Sequence, residues 1–96
     1  MKAKASKEIA VLVTTEWKGV FFGYATDTSG DTIKLRAARN AVYWSTDIKG
    51  FMGLAATGPS KLCRIGPAAD TELRGITSVV AVTPEAEEKW KTSPWY

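Results

Sequence analysis

Two arginines, an asparagine, a tyrosine and a tryptophan fall within ten positions of this chain, in RAARNAVYWS from Arg36 to Ser45. These side chains hold flat, anionic ligands: guanidinium groups grip phosphate-type oxygens, aromatic faces stack on planar rings, and a carboxamide reads a donor–acceptor edge. Arg39 and Arg64 lie within apolar sequence, where an unpaired guanidinium is costly. Each therefore needs a carboxylate, with Asp47 and Asp70 as candidates, or an anionic ligand. Asn40 either stabilises a bend or reads a base edge. In GFMGLAATGP, the Thr57 hydroxyl and the loop amides after Leu54 offer a second place for an anion. The alternative there is structural: Gly50 and Gly53 let a short helix pack closely and Gly58 caps it. The expected ligand-binding set is Arg39, Asn40, Tyr43, Trp44, Thr57 and Arg64, with no metal and no cofactor.

Catalysis has less to work with. The chain has no histidine, and its one cysteine, Cys63, sits in KLCRI as a small apolar residue without a basic partner, so it is expected to be buried and unreactive. The ten carboxylates fall mainly in turns and near the C-terminus, and no pair of them adjoins an apolar segment that would raise a pKa. A binding protein is expected, not an enzyme. The formal charge of +3 comes from Lys2, Lys4 and Lys7 in the opening MKAKASK, without which ten basic residues face ten acidic ones. Duplex nucleic acid is not an expected partner, because that requires a basic stripe on the folded body. No apolar run reaches membrane-spanning length, and the N-terminal lysines lack the apolar core of a signal peptide, so a cytoplasmic location is expected.

The elements that must position these residues are short and mostly extended. A basic flexible tail over residues 1–8 and a single β-rich domain over 9–96 are expected. IAVLVTT (Ile9 to Thr15) and VFFGYAT (Val20 to Thr26) read as adjacent strands, DTSGD (Asp27 to Asp31) as a turn, and a third strand begins at Thr32. Ile33 and Leu35 are odd-numbered, whereas Val42 and Trp44 are even-numbered, so the apolar phase changes across Ala37 to Asn40. A regular strand with one buried face cannot do this, and a bulge or bend is predicted there. Regular geometry beyond it would put Arg39 and Tyr43 on one face and Asn40, Val42 and Trp44 on the other. One short helix follows between Asp47 and Gly58. KLCRI (Lys61 to Ile65) and GITSVVAVT (Gly75 to Thr83) read as strands, and PEAEEKW as a second short helix. Mainly β is the expected class: a small, strongly bent antiparallel sheet or SH3-like barrel, with a helix between strands 3 and 4 and another at the C-terminus. The alternative is an α+β open sheet with both helices on one face. Four tryptophans exceed what so small a core can enclose. Self-association is expected, with Trp90, Trp95 and Tyr96 docking on their own domain or on a neighbouring subunit, and Trp17 and Tyr43 exposed or interfacial.

The order GVFFG (Gly19 to Gly23), ARNAVYWS (Ala38 to Ser45), GLAATGP (Gly53 to Pro59), CRIGP (Cys63 to Pro67) and a valine-rich strand before EAEEKW resembles a family of short phage and prophage proteins over about residues 9–90. Small phage proteins of this kind include the anti-defence sponges, compact oligomers that trap the cyclic nucleotide or cyclic ADP-ribose signals of CBASS and Thoeris immunity. The resemblance implies a phage anti-defence protein that binds and sequesters a nucleotide-derived signal in the host cytoplasm without cleaving it. Two other classes stand beside it: an inhibitor that binds a host protein through an aromatic surface, and a minor virion or assembly component.

Overall fold

The structure, a computed structural model, describes residues 8–16, 19–44, 48 and 50–94. Along the chain run β1 (Ile9–Thr15), β2 (Gly19–Ala25), β3 (Thr32–Tyr43), α1 (Phe51–Ala56), β4 (Arg64–Ile65), β5 (Ala69–Arg74), β6 (Ile76–Ala81) and α2 (Pro84–Thr92). The six strands form one antiparallel sheet in the order β4-β3-β2-β1-β6, and β5 also pairs with β3. This is the expected mainly β, strongly bent sheet, and it does not close into a barrel. Of KLCRI, only Arg64–Ile65 is strand. A further strand, β5, lies where the sequence shows no alternation, because ADTELR buries a single side chain, Leu73. The predicted tail lies outside the described residues but for Glu8.

Both faces of the sheet are buried, yet the helices cover only one. Leu12, Val20, Phe22 and Ala41 pack beneath α1 and α2 with Leu54, Ala55, Ala86 and Trp90. On the opposite face, Val11, Val13, Ala25, Ile33, Leu35, Ala38 and Leu73 form a second core containing no helical residue. The sheet itself supplies that cover by curling. β5 passes into β6 through one residue, Gly75, at φ +70°, so a single bent stretch of chain pairs with β3 at one end and with β1 at the other. Gly23 permits the curl, since a Cβ there would lie 2.9 Å from the Leu35 side chain.

The predicted phase break is present at Ala37. Its φ of +54° is the one left-handed value at a non-glycine residue among those described, a conformation that costs an L-residue roughly 1–2 kcal/mol. The Asp70 carboxylate accepts its amide at 3.0 Å and holds the kink. The shift appears in the register: Arg36 lies opposite Tyr24, but Arg39 lies opposite Phe22, with one residue more on β3 than on β2. Arg39 and Ala41 thereby turn towards the helices, and Asn40 lies opposite Phe21 and is exposed. Val42, in phase with Trp44, is 55% exposed, and its neighbour Ala41, on the opposite face of the strand, is buried.

α1 has only six residues and no side-chain N-cap, so tertiary bonds must fix it. Its last carbonyls are fully accounted for. Gly53 O accepts the amides of Thr57 and Gly58, Leu54 O the indole of Trp90, Ala55 O the amide of Thr83, and Ala56 O the Thr83 hydroxyl. Thr83 also caps α2, accepting the amide of Ala86 at 3.1 Å. Gly58, at φ +85°, lets the two helices touch, because a Cβ there would stand 2.9 Å from the Cβ of Lys89.

Candidate functional site

The structure does not bring the six expected site residues to one place. Arg39 is only 6% exposed. Its Nε donates to Gly66 O and its Nη1 to both Trp90 O and Ser93 O, each at 2.7 Å. The guanidinium thus caps the C-terminal end of α2, where unsatisfied carbonyls and the helix dipole favour a cation. Among the described residues no carboxylate reaches Arg39, and backbone oxygens hold it instead. Asp70 is engaged at the bulge, and Asp47 lies outside the described residues. The Thr57 hydroxyl donates back to Gly53 O at 3.0 Å, so the loop amides and the hydroxyl serve helix α1. Asn40 is exposed. Tyr43 and Arg64 are exposed neighbours across the β3–β4 ladder. Trp44 is half-buried at the edge of the helix-side core. Cys63 is buried, with its Sγ 3.7 Å from the Ser60 hydroxyl.

Three concavities can be compared by what their polar groups already do. One, of about 490 Å³, lies at the N-terminal end of β1 and is lined by Glu8, Tyr24, Lys34, Arg36, Asp70 and Glu72 among others. Most of its charges are already engaged: Glu72 pairs with Arg74, and Asp70 accepts the Ala37 amide. Arg36 grips both carboxylate oxygens of Glu8 at 2.8 and 2.9 Å, which lowers the Glu8 pKa, and lies 4.8 Å over the Tyr24 ring. A second, of about 410 Å³, lies between Pro59–Lys61 and the end of α2. The hydroxyls of Thr92 and Ser93 there donate to the α2 carbonyls of Glu88 and Lys89.

Tyr24 joins the first concavity to α2 by donating to Glu87 Oε2 at 2.8 Å. Burial and this carboxylate push its phenol up to about 12. Because the folded value exceeds the ordinary one near 10, the contribution of the neutral phenol is complete below about pH 10 and is lost as pH rises towards about 12. Wild type is therefore expected to lose stability between about pH 9 and about pH 11.5 more steeply than Tyr24→Phe. Urea midpoints at the two pH values measure this, and parallel declines would remove Tyr24 as the cause.

The third concavity, of about 490 Å³, is different in kind. Thr14, Thr15, Gly19, Val20, Trp44, Phe51, Thr77 and Ser78 line it, with no charged side chain among them. Thr14 Oγ1 lies 2.6 Å from both Thr77 Oγ1 and Ser78 Oγ. Adjacent strand residues normally point to opposite faces, but Thr14 pairs with Ser78 and Thr15 with Ile76, so Thr77 is the extra residue of a bulge. That bulge brings both hydroxyls to Thr14. Three hydroxyls carry three protons, and two bonds within the cluster use two of them. The third proton is used by neither of these two bonds, and the cluster shares the lining of the concavity with Trp44 and Phe51. This arrangement can receive a flat, uncharged group with hydrogen-bonding edges. Of its lining, sequence reasoning found only Trp44. The available signal was the hydroxyl pair Thr77–Ser78 interrupting an otherwise apolar strand, with Thr14–Thr15 ending another.

Among the described residues, no helix is long and apolar enough to cross a membrane. No curated protein and no solved structure matches the chain. A family match does exist, and it spans both cores, both helices up to Trp90 and all eight lining residues of the third concavity: over residues 8–90 the chain belongs to DUF6948, a domain of unknown function.

Proposed function

We propose that this chain is a non-catalytic binding protein that holds and sequesters a small nucleotide-derived ligand of the cyclic oligonucleotide or cyclic ADP-ribose kind. The base enters the concavity between Trp44, Phe51 and the hydroxyls of Thr14, Thr77 and Ser78. The observation that carries this reading is that Trp44 and Phe51 line one concavity together with the hydroxyl cluster of Thr14, Thr77 and Ser78. The described lining carries no charge, so the anionic part of the ligand stays towards solvent. Arg39 takes no part. In its biological form the reading is that of a phage anti-defence protein, acting as a homo-oligomer in the cytoplasm of the infected host, and this form rests on the resemblance to phage proteins.

A thermal-shift screen against cyclic dinucleotides, cyclic trinucleotides, cyclic ADP-ribose isomers and ordinary nucleotides tests it, because a ligand that binds only the native state raises the melting temperature. A shift that Trp44→Leu weakens roughly five- to a hundredfold in affinity, the worth of one base–aromatic stack, is expected. No shift with any of these ligands would sink the reading. The second reading, an inhibitor that binds a host protein, has its own observation: Val42, Tyr43 and Leu62 are 55%, 53% and 65% exposed, and Tyr43 lies at the β3–β4 ladder that Leu62 leads into. Exposed apolar side chains of this kind suit a protein partner.

A further inference from the structure

We propose that the free edge of β6 is a pairing surface for a second copy of this chain, which continues the sheet across a two-fold axis. The inference names a surface for the self-association proposed above and rests on that part of the reading, not on the ligand. Among the described residues, β6 has one partner strand, β1. Backbone amides and carbonyls alternate sides along a strand, so about half of those in Ile76–Ala81 point away from β1.

Edges of this kind are usually blunted by shortness, charge or proline. The opposite border of this sheet is blunted: β4 has two residues, and β5 carries Asp70, Glu72 and Arg74. β6, with the sequence ITSVVA, has neither charge nor proline. The bulge disturbs only its first residues. From Ser78 to Ala81 it keeps an unbroken register with β1, and along that stretch Val79 is 37% exposed and Ala81 is exposed.

The strand is also complementary to itself. Antiparallel pairing about Val79 sets Ser78 opposite Val80 and Thr77 opposite Ala81, small or β-branched pairs with no like charges facing. One surface thus serves both subunits, as a closed two-fold dimer requires.

Sedimentation equilibrium of the full chain and of Val79→Lys tests this, with hydrogen exchange of residues 76–81 followed against protein concentration. Wild type is expected at about twice the chain mass of 10.4 kDa. Val79→Lys, which sets two ammonium groups across the axis, is expected to be folded and monomeric. A wild type that stays monomeric would overturn both the interface and self-association, leaving the ligand reading untouched. A dimeric wild type with an equally dimeric Val79→Lys would overturn the interface alone. If Val79→Lys fails to fold, wild-type exchange decides: protection of 76–81 that grows with concentration supports the interface, and protection independent of concentration refutes it.

Discussion

Trp90→Ala should cost about 4 kcal/mol of folding stability, a large part of what a domain of this size possesses. Three losses combine. The indole is fully buried between the helices and the sheet, and its removal opens a cavity of its own size. It stacks on Phe22 at a centroid distance of 5.1 Å and an interplanar angle of 5°, an aromatic contact worth more than its area alone. Its Nε1–H donates at 2.9 Å to Leu54 O, one of the terminal carbonyls of α1 that no helical amide can reach. Trp90→Phe should recover much of the packing but not the bond, and so lose about 1–2 kcal/mol. Urea denaturation of the three proteins measures the difference. A loss below about 1 kcal/mol for the alanine variant would mean that α2 is not held against the sheet as described.

The same residue shows where the sequence was legible and where it was not. Local pattern disclosed β1, β2, the turn at Asp27–Asp31 and α2, because each has its own alternation, turn residues or caps. Parity also disclosed the break at Ala37, since Ile33 and Leu35 cannot share a regular face with Val42 and Trp44. It misjudged what the break delivers: Ala41 is buried on the helix side, while Val42 points to the opposite face, beyond the second core that holds Ala38, and is exposed. β5 escaped notice because only Leu73 is inward, and the rest of the strand carries the charge of an exposed border. Trp90 was expected to dock on its own domain or on a neighbour, and it is the former; cutting the chain after Lys89 would therefore remove a core residue. Trp17, Trp95 and Tyr96 lie outside the described residues. As for the candidate site, Trp44 was found from composition. Its companions Thr14, Thr77 and Ser78 were not, because they come from two strands 63 and 64 positions apart and meet only through a bulge.

Arg39 is the clearest case of chemistry that residue type suggests and position redirects, and Arg39→Ala should separate the two. The sequence left a carboxylate or an anion as its counterpart, because backbone oxygens leave no mark in a sequence. The structure supplies three of them, on Gly66, Trp90 and Ser93. One side chain thus joins three segments: the bulged strand β3, the loop after β4 and the end of α2. Burial lowers the pKa of the guanidinium, but the group remains charged over the whole physiological range, and the partial negative charge at the helix end compensates it. Removing it leaves carbonyls at the end of α2 without a donor and opens space beside Trp90. A loss of about 3 kcal/mol or more is expected, lowering the melting temperature by about 15 °C. Arg39→Lys should recover only a small part, since an ammonium cannot reproduce the forked geometry. Any ligand found by the nucleotide screen should bind folded Arg39→Ala with unchanged affinity, measured below its melting temperature. If the variant melts as wild type does but loses that ligand, Arg39 belongs to the binding site after all, and the base pocket near Trp44 is not where the ligand is held.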